Sequence, residues 1–272
     1  LHGNPRLVIL THGLEGSSRS HYARRLMHAI RRRGWHGVVV HFRGCSGESN
    51  RLPRAYHSGD SAEIDWVLRR LHSTGYPALF ASGVSLGGNA LLKWAAELGE
   101  APDRPVAAIA AVSVPLDLAA ANQALSNGFN LIYARHFLRT LIPAALEKSR
   151  RFPGRFDIER ALAARSLRDF DDAVTAPLHG FAGADDYYAR SSAGPLLKNI
   201  RLPTLLLHAI NDPFLPVTAL PHRAELPPCV QLELHAEGGH VGFVHGLPPG
   251  IVDWMPARLM AHFAAFCPAQ DA

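Results

Sequence analysis

Cysteine is scarce in this chain: three residues in 272, Cys45, Cys229 and Cys267, far apart and odd in number. That count excludes a disulfide framework and a cysteine-based metal motif, and it points to a reducing, cytoplasmic compartment. No uninterrupted apolar run reaches the roughly 18 residues that a membrane-spanning helix needs. The opening residues, Leu1 to Arg6, are not the basic-then-apolar start of a secretory signal. Charge is also sparse, at 19% of residues; Lys+Arg 28 exceeds Asp+Glu 23, but the positive residues are scattered. Without a dense basic run interleaved with aromatics there is no nucleic-acid footprint. Arg31-Arg32-Arg33 and Arg150-Arg151 read as the positive ends of surface helices. Neither a G-x-x-x-x-G-K-[ST] loop nor a G-x-G-x-x-G fingerprint occurs, so no nucleotide or other cofactor is called for.

What the chain has in quantity is apolar residues, 47% of the total, gathered in short runs at Leu7 to Leu10, Gly37 to Val40, Ala78 to Val84, Val106 to Val114 and Thr204 to Ile210. Continuous runs, rather than strict alternation, are the mark of a parallel sheet covered on both faces. Between them lie helical spacings: Tyr22, Leu26 and Ile30 before Gly34; Ile64, Val67, Leu68 and Leu71 before Gly75; Leu91, Trp94, Ala95 and Leu98 before Gly99. The βαβ rhythm lapses from Leu116 to Pro195, where only helical spacing persists, as in Phe129, Ile132, Tyr133, Phe137, Leu138 and Leu141. It resumes after Pro203, with a short strand at Val230 to Leu234 and a last helix, Met255 to Phe266, carrying Leu259, Phe263 and Phe266 inward. The expected organisation is an α/β core at residues 1–115 and 196–272, a mostly parallel sheet covered by helices, with a helical cap inserted at 116–195.

The sharpest local feature is Gly83-Val84-Ser85-Leu86-Gly87-Gly88-Asn89, a G-x-S-x-G string placed after a strand and before a helix. In that setting the serine sits on a strained turn with its hydroxyl raised above the sheet, and the helix start aims N–H groups at developing negative charge. A serine hydroxyl is a weak nucleophile, so the reading requires a histidine base and an orienting carboxylate. Asp212, in Asn211-Asp212-Pro213-Phe214, and His240, in Gly238-Gly239-His240-Val241-Gly242-Phe243, follow the last two strands. Ser85, Asp212, His240 is then the serine, acid, histidine order expected of groups on loops at the carboxyl edge of a sheet. Asp185, Asp186 and Glu237 are the other carboxylates that could serve as the acid. His12-Gly13-Leu14-Glu15-Gly16 follows the first strand, where the Leu14 N–H, with that of Leu86, would form an oxyanion hole. His235, Glu237, His240 and His245 crowd one region, but no H-E-x-x-H occurs and steps of five do not align ligands on a helix. Cys45 reads as packed in a tight loop, with Arg43 beside it propping the site floor or pairing with a carboxylate.

Six segments together carry a resemblance: His12 to Ser18, His41 to Glu48, Tyr56-His57-Ser58-Gly59, Gly83 to Asn89, Asn211 to Phe214 and Gly238 to Phe243. Across nearly the whole chain the sequence resembles the YheT-like branch of the α/β-hydrolases. That resemblance implies an α/β-hydrolase fold with a helical cap, a triad at Ser85, Asp212 and His240, and hydrolysis of acyl or lipid esters without a cofactor. It also implies early strands ahead of the His-Gly loop that this chain lacks, hence a longer parent protein. Phe129, Phe137 and Leu141 would line an apolar acyl pocket or simply dock the cap. The expected partner is a small acyl ester or lipid, with no transmembrane segment and peripheral membrane contact as the only membrane association. The reading of a different class is a binding or scaffold module on the same fold with weak or no catalysis.

Overall fold

In this computed structural model, residues 5–246 and 250–267 are described. Six strands form one sheet: β1 (Leu7–Thr11), β2 (His36–Val40), β3 (Leu79–Val84), β4 (Ala108–Val112), β5 (Thr204–Ala209) and β6 (Val230–His235). All neighbours pair in parallel, in the order β2-β1-β3-β4-β5-β6. The central strands β1, β3, β4 and β5 are buried at every residue, which is why their sequences run apolar without alternation. Alternation is present in space instead. Leu7 and Ile9 face one apolar cluster with Ala81, Ile109, Ala111 and Leu206, while Val8 and Leu10 face another with Phe80, Ala110, Leu205 and Leu207.

The first face is covered by α2 (Ser61–His72) and α3 (Leu86–Leu98); the second by α1 (His21–Arg32) and the final helix, Trp254–Ala264. In α1 the buried Tyr22, Ala23, Leu26 and Ile30 form one stripe, and Arg31 and Arg32 end the helix as basic residues that suit its negative pole. The final helix buries Leu259 and Phe263 as expected, but Phe266 is 39% exposed: the helix ends at Ala264, so helical phase no longer points it inward.

Between β4 and β5 the described residues form no strand. They fold as α4 (Leu118–Leu125), α5 (Leu131–Arg151), α6 (Ile158–Leu162), α7 (Leu167–Phe170), α8 (Ala176–His179) and α9 (Ala184–Ser191), with α10 the Trp254–Ala264 helix. Side chains stop or start several of these: Asp117 accepts from Ala120 N–H at α4, and Ser166 with Asp169 makes a reciprocal capping box at α7. α7 passes into α8 through a π turn, Asp171–Thr175. These helices pack on a third apolar cluster, built around Leu125, Leu138, Leu167, Phe170 and Val174, which also takes in Phe214 and Leu215 after β5.

The topology makes a crevice. From β1 the chain moves to β2 on one side, and from β3 it moves to β4 on the other, although β1 and β3 are themselves neighbours. The loops leaving their carboxyl ends therefore diverge, and this switch point is where open α/β sheets take ligands.

Candidate active site

Ser85 lies directly after β3 with φ 52° and ψ −121°. A non-glycine residue in that region costs about 1–3 kcal/mol, so the surroundings must impose it. They do so from both sides: the Ser85 N–H donates to the Val112 carbonyl at 2.8 Å, and the Ser85 carbonyl accepts from Asn89 N–H at 3.0 Å. The turn is tight enough that a Cβ on Gly83 would sit 2.6 Å from the Gly87 oxygen and the Gly88 Cα. Glycine is needed there for close approach rather than for backbone freedom.

The loops after β5 and β6 converge on this serine. His240 Nε2 lies 3.1 Å from Ser85 Oγ, and His240 Nδ1 lies 2.8 Å from Asp212 Oδ2. With Nδ1–H donating to the carboxylate, Nε2 is left to accept from the hydroxyl. The Asp212 side chain is fully buried, and its other oxygen accepts from Phe214 N–H at 2.9 Å. Asn211 Oδ1 accepts from the N–H groups of Gly238 (3.0 Å) and Gly239 (2.8 Å), tying the histidine loop to the acid loop. The Phe214 ring lies against the imidazole, centroid to centroid 4.3 Å.

Two tyrosine hydroxyls hold the loop after β1. Tyr22 accepts from Gly13 N–H at 2.9 Å; Tyr56 accepts from Glu15 N–H at 3.0 Å and donates to Glu15 Oε1 at 2.7 Å. Glu15 is thus an anchor of its own loop. Between those occupied donors, the Leu14 N–H has no partner among the described residues. Leu86 is the first residue of α3, where helices leave N–H groups unpaired. His12 is fully buried, its Nδ1 on the Gly13 carbonyl at 2.8 Å and its Nε2 accepting from Phe42 N–H at 3.1 Å, and burial holds its pKa down to about 4. It is a neutral strut beneath the loop.

A cavity of about 390 Å³ opens from Ser85 and His240. Leu118, Ala121, Leu125, Phe137, Leu141, Phe170 and Val174 from the helices between β4 and β5 give it apolar walls, completed by Phe214 and Leu215; Arg43, Glu48, Glu147, Lys148 and Arg151 stand at a charged end. Phe137 and Leu141 line it and also pack on the apolar cluster of those helices. Phe129 does not: it is 88% exposed, because it sits in a 3-10 turn, Gly128–Asn130, ahead of α5 and out of phase with that helix.

Arg43 pairs with Glu63, one of the two roles expected of it, and lines the cavity. Cys45 lies in the cavity wall, its thiol pushed up to about 12 chiefly by burial, which leaves it protonated at neutral pH. Asp185 and Asp186 are engaged elsewhere, by Arg168 and Arg190. The His235 ring packs on Trp254 at 4.4 Å, and among the described residues no three His, Cys, Asp or Glu side chains converge as a metal site.

Sequence reasoning attached no role to Tyr22, Tyr56 or Asn89. Asn89 is wholly buried, donating to the Ser58 and Ser191 carbonyls and accepting from Ala193 N–H, so it stitches α3 to two loops. Asp171 lies in the π turn. It accepts from Thr175 Oγ at 2.6 Å and from Tyr188 OH at 2.8 Å on the cavity wall, and burial raises its carboxyl to about 6.

A family model of the α/β hydrolase fold matches residues 6–247. YheT of Escherichia coli strain K12, named as a candidate esterase, is 44% identical over 268 residues, covering 94% of this chain and 78% of its own length. The chain belongs to the α/β-hydrolases, in their YheT-like branch. Bovine phospholipase ABHD3 is 33% identical to this α/β-hydrolase over 246 residues, 89% of this chain, which spans 59% of that relative's length. Among solved structures, Est1E from Butyrivibrio proteoclasticus with ferulic acid bound superposes at a TM-score of 0.61 and 13% identity, over 97% of this chain and 91% of that one. At that identity the likeness is one of fold. YheT, phospholipase ABHD3 and a monoacylglycerol lipase of Saccharomyces cerevisiae are named for ester and lipid hydrolysis, so this α/β-hydrolase sits in an esterase and lipase family.

Proposed function

We propose that this chain is a serine hydrolase of carboxylic esters, acting on acyl or lipid esters through an acyl-enzyme on Ser85. The unbroken line Ser85 Oγ, His240, Asp212, at 3.1 and 2.8 Å, carries the proposal. In the first step Ser85 Oγ bonds to the ester carbonyl carbon and its proton passes to His240 Nε2. The oxyanion is held by the Leu14 and Leu86 N–H groups, and its collapse breaks the ester bond as the leaving alcohol takes the proton from Nε2. Water then gives a proton to Nε2 and attacks the acyl carbon; the acid leaves and Ser85 regains its proton. Asp212 keeps the imidazole in the right tautomer and offsets its positive charge. Residues 116–195 serve as the cap, whose apolar wall takes the acyl chain, and the names of the relatives support that substrate class.

A panel of p-nitrophenyl esters from acetyl to long acyl, run on the protein and on Ser85→Ala, tests this. The alanine variant should retain its melting temperature and lose at least about a thousandfold in kcat/KM. A fluorophosphonate should label the parent and not the variant. Equal rates in the two proteins would sink the serine mechanism, and no hydrolysis by the parent would leave the scaffold reading.

A further inference from the structure

The start of α5 leaves a group of large apolar side chains bare. Phe129, Ile132 and Tyr133 are 88%, 63% and 46% exposed, within five residues of one another. Single exposed apolar residues are ordinary on any protein, but a cluster is a mark of a contact surface. The charge around it has one sign. No Asp or Glu occurs from Gly128 to Leu146, while Arg135, His136 and Arg139 all stand exposed. An open groove beside the patch combines Leu131, Leu138 and Ile142 with Arg135, Arg139 and Arg165. None of those three arginines has an ion-pair partner among the described residues.

We propose that this end of α5 docks on an anionic phospholipid bilayer. Aromatic and aliphatic side chains beside unpaired arginines match the acyl boundary and the phosphates of such a surface at once. A purely apolar partner would leave the arginines unmatched, and an acidic protein surface would leave Phe129 and Ile132 in water. The patch also reaches the proposed reacting groups through two contacts. Asn130 Nδ2 donates to the Pro213 carbonyl at 2.6 Å, and the Tyr133 ring lies 4.7 Å from that of Phe214, which rests on His240. A docked bilayer would thus lie directly over the acid loop, on the helix whose Phe137 and Leu141 wall the cavity. Any gain in turnover rests on the esterase reading; the docking itself does not.

Cosedimentation with phosphatidylcholine vesicles, with and without phosphatidylglycerol, tests the docking. The parent should bind the mixed vesicles, weakly or not at all the neutral ones, and lose binding in high salt. Phe129→Ser with Ile132→Ser, and separately Arg135→Glu with Arg139→Glu, should each cut binding about tenfold while melting temperature and p-nitrophenyl acetate hydrolysis hold. Ser85→Ala should bind as the parent does, which separates failure of docking from failure of the hydrolytic reading. No binding to either vesicle, or binding indifferent to both variant pairs, overturns the proposal. So does a dimer on gel filtration that the Phe129→Ser, Ile132→Ser protein breaks, with no vesicle binding, since the patch would then join two copies.

Discussion

The side-chain oxygen of Asn211 accepts from two successive glycine N–H groups, at 3.0 and 2.8 Å, one residue before the buried Asp212. It touches no reacting atom, yet it fixes the loop that carries His240. Asn211→Ala should lower kcat about tenfold or more with KM little changed, because a small displacement of an aligned base is costly. Asn211→Asp should restore most of the loss, since a carboxylate accepts both N–H groups equally well; a rate unchanged by alanine would show that the histidine loop holds itself. At this scale the sequence was legible where chemistry restricts the residue type. Ser85, Asp212 and His240 could be chosen from local context and order, and they lie together. Tyr56 could not be chosen from the residues alone: its hydroxyl meets Glu15 across 41 positions, and nothing local marks a tyrosine for such a contact.

α5 presents different residues to different surroundings along its length. Phe137 and Leu141, four apart and on one face, turn to the cavity; Ala134, Leu138 and Ala145 are buried. Leu141→Trp should therefore shorten the usable cavity. The expected result is a fall of about tenfold in kcat/KM for long-acyl p-nitrophenyl esters with acetate hydrolysis nearly intact, read against the cost of roughly 1–3 kcal/mol that overfilling brings. A uniform loss across chain lengths would mean that this wall does not meet the acyl chain. The two residues misplaced from sequence, Phe129 and Phe266, share one cause. Each lies just outside a helix whose spacing was extended through it, and a single 3-10 turn or frayed end rotates the next side chain out of phase. The π turn at Asp171–Thr175 is hidden for the same reason, since periodicity cannot report where the period itself changes.

Across the whole molecule, the sheet was the most legible part, because six runs of apolar residues separated by helical spacings admit few arrangements other than a covered parallel sheet. The buried histidines were not. Burial depresses His12, His208 and His262 to about 4 and His57 to about 3, below the ordinary value near 6.5. The fold keeps them neutral while the unfolded chain takes up protons, so their contribution is whole above about pH 6.5 and is lost as pH falls toward 4. Asp60 and Asp171, raised to about 6, act in the opposite sense: their contribution is present below the usual carboxylate value and disappears as pH rises through 6. His21 and His179 are lowered as well, so the depressed histidines outnumber the two raised carboxyls and stability falls on acidification between pH 6 and 4. Urea melts should show stability falling steeply over that interval, and a flat profile would contradict neutral burial of these rings.

The Ser85 amide is hydrogen-bonded to β4, while most of the cavity's apolar wall belongs to helices packed on an apolar cluster of their own. The turn at Ser85 and the cavity wall are consequently built from separate parts of the chain. On the esterase reading, lineages of such a chain would diverge in what they accept by exchanging side chains on α4, α5 and the π turn, each step leaving the strained turn at Ser85 unaltered.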